Sequence, residues 1–168
     1  MQSKARFLGH SVHQMLIVFP LGLLATAVMF DIAFLVTDRP EMAAVSYWMM
    51  AAGLIGALVA APFGLVDWLA IEKNTRAKRI GALHGGGNAV VTLLFAASWL
   101  LRGGNPSDPP GIMAILLGLV GALIALFTAW LGGELVARLG VGVYDDANVN
   151  ASNSITHRHH EAQARQVH

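Results

Sequence analysis

A chain of 168 residues with 55% hydrophobic and 12% charged side chains cannot cover a water-facing surface, because an ordinary soluble domain carries about 25% charge. The formal net charge of +1 gives no electrostatic case for nucleic acid. The absence of cysteine excludes disulfides, c-type haem attachment, iron–sulfur ligation and thiol catalysis.

In chain order, a short basic segment with Lys4 and Arg6 leads into an apolar run over residues 12–36. Three more follow, over 45–69, 80–101 and 112–136, each near the ~20 residues that cross ~30 Å of hydrocarbon. The first run, with Ala25-Thr26-Ala27 inside it, imitates a cleaved signal peptide. It continues to Val36, beyond the usual length of such a segment, so a retained helix is expected. Polar connections carry helix breakers at Pro40, at Gly103-Gly104-Asn105-Pro106 and at Pro109-Pro110. Loops this short predict antiparallel neighbours. The expected fold is all-α: an integral membrane four-helix bundle, up-down-up-down, over residues 1–143. Residues 144–168 read as a flexible polar tail. Its His157, His159 and His160 are interrupted by Arg158 and lack an ordered scaffold to hold a metal.

Lysine and arginine set the expected orientation. Lys4, Arg6, Lys73, Arg76, Lys78, Arg79, Arg138, Arg158 and Arg165 fall on one side, against Arg39 and Arg102 on the other. Nine against two places both termini in the cytoplasm. Gly53 and Gly56, Gly118 and Gly121, and Gly85-Gly86-Gly87 offer small surfaces for close helix packing. The methionines read as apolar filler, and Trp48, Trp68, Trp99 and Trp130 as an interfacial belt near span ends.

The chain also looks duplicated. Gly53-Leu54-Ile55-Gly56-Ala57-Leu58-Val59-Ala60 in the second run matches Gly118-Leu119-Val120-Gly121-Ala122-Leu123-Ile124-Ala125 in the fourth, with only isoleucine–valine exchanges. His13 opens the first helix and His84 the third, and each is followed eighteen residues later by a charge, Asp31 and Arg102. A copied hairpin gives a parallel repeat about an axis along the membrane normal. Asp31 and Arg102, about 27 Å from their histidines along a helix, then share one depth and are placed to pair. Two independently snorkelling charges are the alternative.

His13, His84, Asp67 and Glu134 are expected at the cytoplasmic end, and ionisable groups at membrane depth usually face the bundle interior. His13 and His84 could hold haem b as axial ligands. Alternatively His10, one helical turn before His13, joins His13, His84 and Asp67 or Glu134 around a transition metal ion. Plain hydrogen bonding of both histidines is a third reading, with no cofactor at all.

The run His13-Gln14-Met15-Leu16-Ile17-Val18-Phe19-Pro20 resembles the opening signature of a family of bacterial predicted membrane proteins, domain of unknown function twenty-two thirty-one. Leu83-His84 is similar to its second histidine signature. Gly132-Gly133-Glu134-Leu135-Val136 with Gly140-Val141-Gly142-Val143 is similar to its closing motif. Gln14 departs from the proline frequent there. The resemblance covers residues 13–143 and implies a bacterial inner-membrane four-helix protein without an established activity. By analogy of architecture it is similar to small membrane cytochromes b.

No Walker, nucleophile-elbow or zinc-protease motif is present, which argues against hydrolase, kinase or protease activity. Three classes remain: a haem protein exchanging electrons with quinone or another redox partner, a metal-binding or transport protein, and a non-catalytic scaffold subunit. Four helices leave little room for an aqueous path, and no charge lies at mid-membrane, so transport ranks below redox. The glycine faces would serve equally inside one bundle or between copies in a homo-oligomer.

Overall fold

The computed structural model describes residues 1–106 and 108–155, and the tail histidines His157, His159 and His160 lie outside the described residues. Among the described residues four helices are long and apolar enough to cross a membrane: Val12–Thr37, Pro40–Ala70, Arg76–Leu100 and Ile112–Arg138. The fold is mostly helical, as expected. Two helices start earlier than their apolar runs. Pro40 suits the first turn of its helix because its fixed φ is already helical. Thr75 caps the other, its side chain accepting the Lys78 N–H at 3.1 Å. Hydropathy marks where hydrocarbon begins, whereas capping chemistry marks where the helix begins.

The first span has two parts, α1 (Val12–Leu16) and α2 (Val18–Thr37). Pro20 causes the break: it offers no N–H to the Leu16 carbonyl, and its ring crowds that carbonyl. The remaining helices are α3 (Pro40–Ala70), α4 (Arg76–Leu100) and α5 (Ile112–Gly133). A wide π-turn, Glu134–Arg138, ends α5 through a Leu139 N–H bond to the Glu134 carbonyl at 3.1 Å.

Helix α2 packs mainly on α3, and α4 mainly on α5. Leu24, Ala27, Val28, Met50, Val91 and Phe95 form the principal buried cluster. A second cluster is Phe34, Ala43 and Ile115. The expected glycines seat these helices. A Cβ at Gly53 would lie 2.7 Å from Leu24, one at Gly56 3.1 Å from Pro20, and one at Gly121 3.0 Å from Phe95. In the triple run only Gly87 meets a neighbour, Thr128, while Gly85 and Gly86 face open space. No more than 28% of any span's most apolar stretch is buried, and Leu58, Leu93, Leu123 and Leu126 point outward. Such surface is stable against acyl chains and unstable against water. Of the four tryptophans, Trp48 and Trp130 stand exposed, and Trp99 packs inward against Tyr47, ring centres 5.2 Å apart.

A small hairpin precedes α1. Strands β1 (Arg6–Phe7) and β2 (His10–Ser11) pair antiparallel around Leu8 (φ +48) and Gly9 (φ +87), two left-handed residues as a tight hairpin turn requires. Strands of two residues leave no alternating pattern in the sequence. The segment after the last helix docks here. Tyr144 donates its hydroxyl to the Gly9 carbonyl at 2.7 Å, and the Gly142 N–H reaches the Met1 carbonyl at 2.9 Å.

Candidate functional site

His13 on α1 holds its Nδ1 3.1 Å from the carbonyl oxygen of Ala60 on α3. His84 on α4 holds its Nδ1 2.8 Å from the carbonyl oxygen of Thr128 on α5. Four residues beyond each carbonyl stands a glycine, Gly64 and Gly132. A Cβ at Gly64 would lie 2.7 Å from His13 Cε1, and one at Gly132 3.0 Å from His84 Cε1. Each imidazole therefore lies on bare backbone. A carbonyl oxygen only accepts, so Nδ1 carries the proton in both rings and the neutral ring keeps its lone pair on Nε2.

The two rings differ at Nε2. Asn88, one turn after His84, donates its amide to His84 Nε2 at 3.2 Å. Its oxygen accepts the Thr128 hydroxyl at 2.9 Å. His84, Thr128 and Asn88 thus close a loop of hydrogen bonds between α4 and α5. One turn after His13 the chain carries Ile17, and no partner of His13 Nε2 is found among the described residues.

The other expected ligands have partners of their own. The buried carboxylate of Asp67 accepts from the Ser3 hydroxyl at 2.8 Å, the Lys4 N–H at 2.8 Å and the Ala5 N–H at 3.4 Å. It anchors the N-terminal segment beneath the hairpin. Glu134 accepts from Arg76 Nη2 at 2.7 Å, linking the π-turn to the start of α4. His10 Nε2 lies 3.3 Å from the Ser154 hydroxyl on the exposed side of the hairpin. Among the described residues no three histidines or carboxylates form a group spaced to hold a metal ion.

Because hydrogen bonds to a charged group are worth about 1.5–3 kcal/mol each, Asp67→Ala should release the hairpin. Amide exchange at Lys4 and Ala5 is expected to accelerate about tenfold or more, with the helices still protected. Unchanged exchange would mean that the hairpin is held by other contacts.

Away from the histidines, Arg102 grips Asp31. Arg102 Nη1 meets Asp31 Oδ1 at 2.8 Å and Nη2 meets Oδ2 at 2.6 Å, a bidentate pair with both side chains at most 3% exposed. The pairing is as the spacing predicts, and neither charge snorkels. Ser46 accepts from Nη1 at 3.3 Å and Ser98 from Nη2 at 3.4 Å. Ser98 in turn donates to the Ala114 carbonyl at 2.6 Å. Sequence reasoning passed over both serines, and over Asn88 and Thr128. The available signal was spacing: Ser98 stands four before Arg102 and Asn88 four after His84, each on the same helix face.

No curated protein and no solved structure matches the chain. A family model described as "Predicted membrane protein (DUF2231)" matches residues 9–145, from the hairpin turn through both histidines and their carbonyl partners to the π-turn and beyond. The chain belongs to this family of predicted membrane proteins.

Proposed function

We propose that the chain binds haem b between His13 and His84 and serves in electron transfer within the membrane, with quinone or a membrane protein as redox partner. The observation that carries this reading is the pair of Nδ1–carbonyl bonds, at 3.1 and 2.8 Å. A ligating histidine commonly donates its second ring nitrogen to a carbonyl, which fixes the tautomer and raises the basicity of Nε2. Both imidazoles are prepared in that way. His13 offers Nε2 at once, while His84 would first exchange its Asn88 amide for iron. When bound, haem would supply a one-electron iron couple; the chain would supply two oriented ring nitrogens.

The same reading takes the chain as a duplicated hairpin with alternating helices and both termini in the cytoplasm of a bacterial inner membrane. Supporting it are the matched octets, the histidine–carbonyl–glycine arrangement repeated at His13 and His84, and nine of eleven basic residues on one side.

The test is an absorption spectrum of the detergent-purified protein, oxidised and dithionite-reduced. A Soret band with sharp α and β bands is expected, lost in His13→Ala and in His84→Ala. A colourless protein with stoichiometric zinc or copper would replace haem by the metal reading, for which His10, Asp67 and Glu134 must leave their present partners. A colourless, metal-free protein would leave the histidines as clamps in a scaffold subunit. The bond from Asn88 to His84 favours that second reading, because it satisfies the ring without any ligand.

A further inference from the structure

The connection from α3 to α4 surrounds a hollow of about 480 Å³ lined by Lys73, Asn74, Lys78 and Arg79. Its chemistry is one-sided, since three cations and no acid line it. The nearby charges of opposite or competing use are turned elsewhere. Arg76 is bound to Glu134, and Glu72 lines a neighbouring hollow with Met1, Ile71 and Leu139. Among the described residues neither Lys73 nor Arg79 takes part in an ion pair.

The hollow is also shaped in advance. Asn74 turns the chain at φ +64, a left-handed conformation that asparagine tolerates. Lys78 Nζ donates to the Trp68 carbonyl at 2.7 Å and sits 4.1 Å from the centre of the Trp68 ring. Trp68 Nε1–H returns a bond to the Lys78 carbonyl at 3.1 Å. One cation is therefore fixed, at least one of its three N–H donors remains for a ligand, and two exposed cations stand beside it.

We propose that this hollow binds the phosphate of an anionic phospholipid headgroup. Phosphate suits a cluster of cations at a turn. A lipid is favoured over free phosphate because the connection joins two candidate membrane spans and so lies at headgroup depth. Leu69 and Leu83, exposed at the adjoining ends of α3 and α4, offer an apolar surface for the acyl chains of the same molecule.

Trp68 is a built-in reporter. With Trp48, Trp99 and Trp130 replaced by phenylalanine, the full chain is reconstituted in vesicles of phosphatidylcholine and phosphatidylglycerol. One lipid or the other is brominated to quench tryptophan. Quenching by brominated phosphatidylglycerol is expected to exceed that by brominated phosphatidylcholine at equal content. The preference should fall about fivefold for each of Lys73→Gln and Arg79→Gln, as expected for a cation near a charged surface. Raised salt should weaken it, and millimolar inorganic phosphate should leave it unchanged. Equal quenching by both lipids overturns the proposal, and displacement by inorganic phosphate overturns the lipid source. Native mass spectrometry of the unsubstituted protein provides an independent reading that needs no variant: retained phosphatidylglycerol supports the site, and indiscriminate retention of both lipids overturns it.

Discussion

Replacing Asp31 by leucine is expected to destabilise the bundle by about 3–5 kcal/mol, because it leaves the guanidinium of Arg102 buried without a counter-ion. The present geometry uses all four Nη protons of Arg102: two on Asp31, one on Ser46 and one on Ser98. A guanidinium cannot shed its charge, whereas a carboxylate left alone can be neutralised by a proton. Arg102→Met should therefore cost less than Asp31→Leu. Removing both charges together, as Asp31→Leu with Arg102→Met, should cost far less than the sum, since an apolar pair of similar volume often replaces a buried ion pair at little loss. The charge swap Asp31→Arg with Arg102→Asp should recover part of what either single reversal loses. A denaturation series in detergent or bicelles on the full mutant cycle reads the coupling. Additive costs would mean that the two charges act independently, against the 2.6 and 2.8 Å contacts.

Gly64→Ala is expected to be the most damaging glycine substitution near the histidines. Its new methyl group would stand 2.7 Å from His13 Cε1, 2.9 Å from Nδ1 and 3.1 Å from Nε2, so the imidazole must leave and its bond to the Ala60 carbonyl must break. Overpacking of this kind costs about 1–3 kcal/mol. Gly132→Ala, with a nearest approach of 3.0 Å to His84, should cost less. Gly22 on α2 is the control: nothing lies within 4 Å of its Cβ position, and alanine there should be neutral or stabilising by up to about 1 kcal/mol. The double variant Gly64→Ala with His13→Ala should be no less stable than His13→Ala alone, because the clash partner is gone. Thermal unfolding of these five proteins settles the matter. A Gly64→Ala protein as stable as the Gly22→Ala protein would mean that the His13 ring is free to move aside. Under the haem reading, Gly64→Ala should also lose the Soret band, a readout distinct from stability.

How far the sequence is legible depends on whether a feature is local. Four apolar runs identify four helices because crossing hydrocarbon is a matter of length and composition. The equal eighteen-residue offsets from His13 to Asp31 and from His84 to Arg102 anticipate the ion pair, because a helix converts spacing directly into depth. The octet glycines mark faces open to close packing, but that they seat α2 on α3 and α4 on α5 is visible only in the fold. A two-residue strand has no period to read, and hairpin β1–β2 goes unannounced.

Side-chain partners belong to the tertiary structure. A helix that is apolar nearly all round does not encode its rotation about its own axis, and each residue turns the exposed face by about 100°. Hydropathy therefore could not choose between the Ala60 carbonyl and Asp67 as the partner of His13. Only packing, which lays the imidazole on Gly64, decides for the carbonyl. The same packing gives Asp67 to the Ser3 hydroxyl and the Lys4 and Ala5 amides, Glu134 to Arg76, and His84 to Thr128 and Asn88. The amino-acid sequence on its own determined the apolar surface, the number of helices long enough to cross a membrane and the spacing of the charged groups along them. Which of those groups touch was decided by the close approach of helices at glycine, where a single missing Cβ admits a whole side chain.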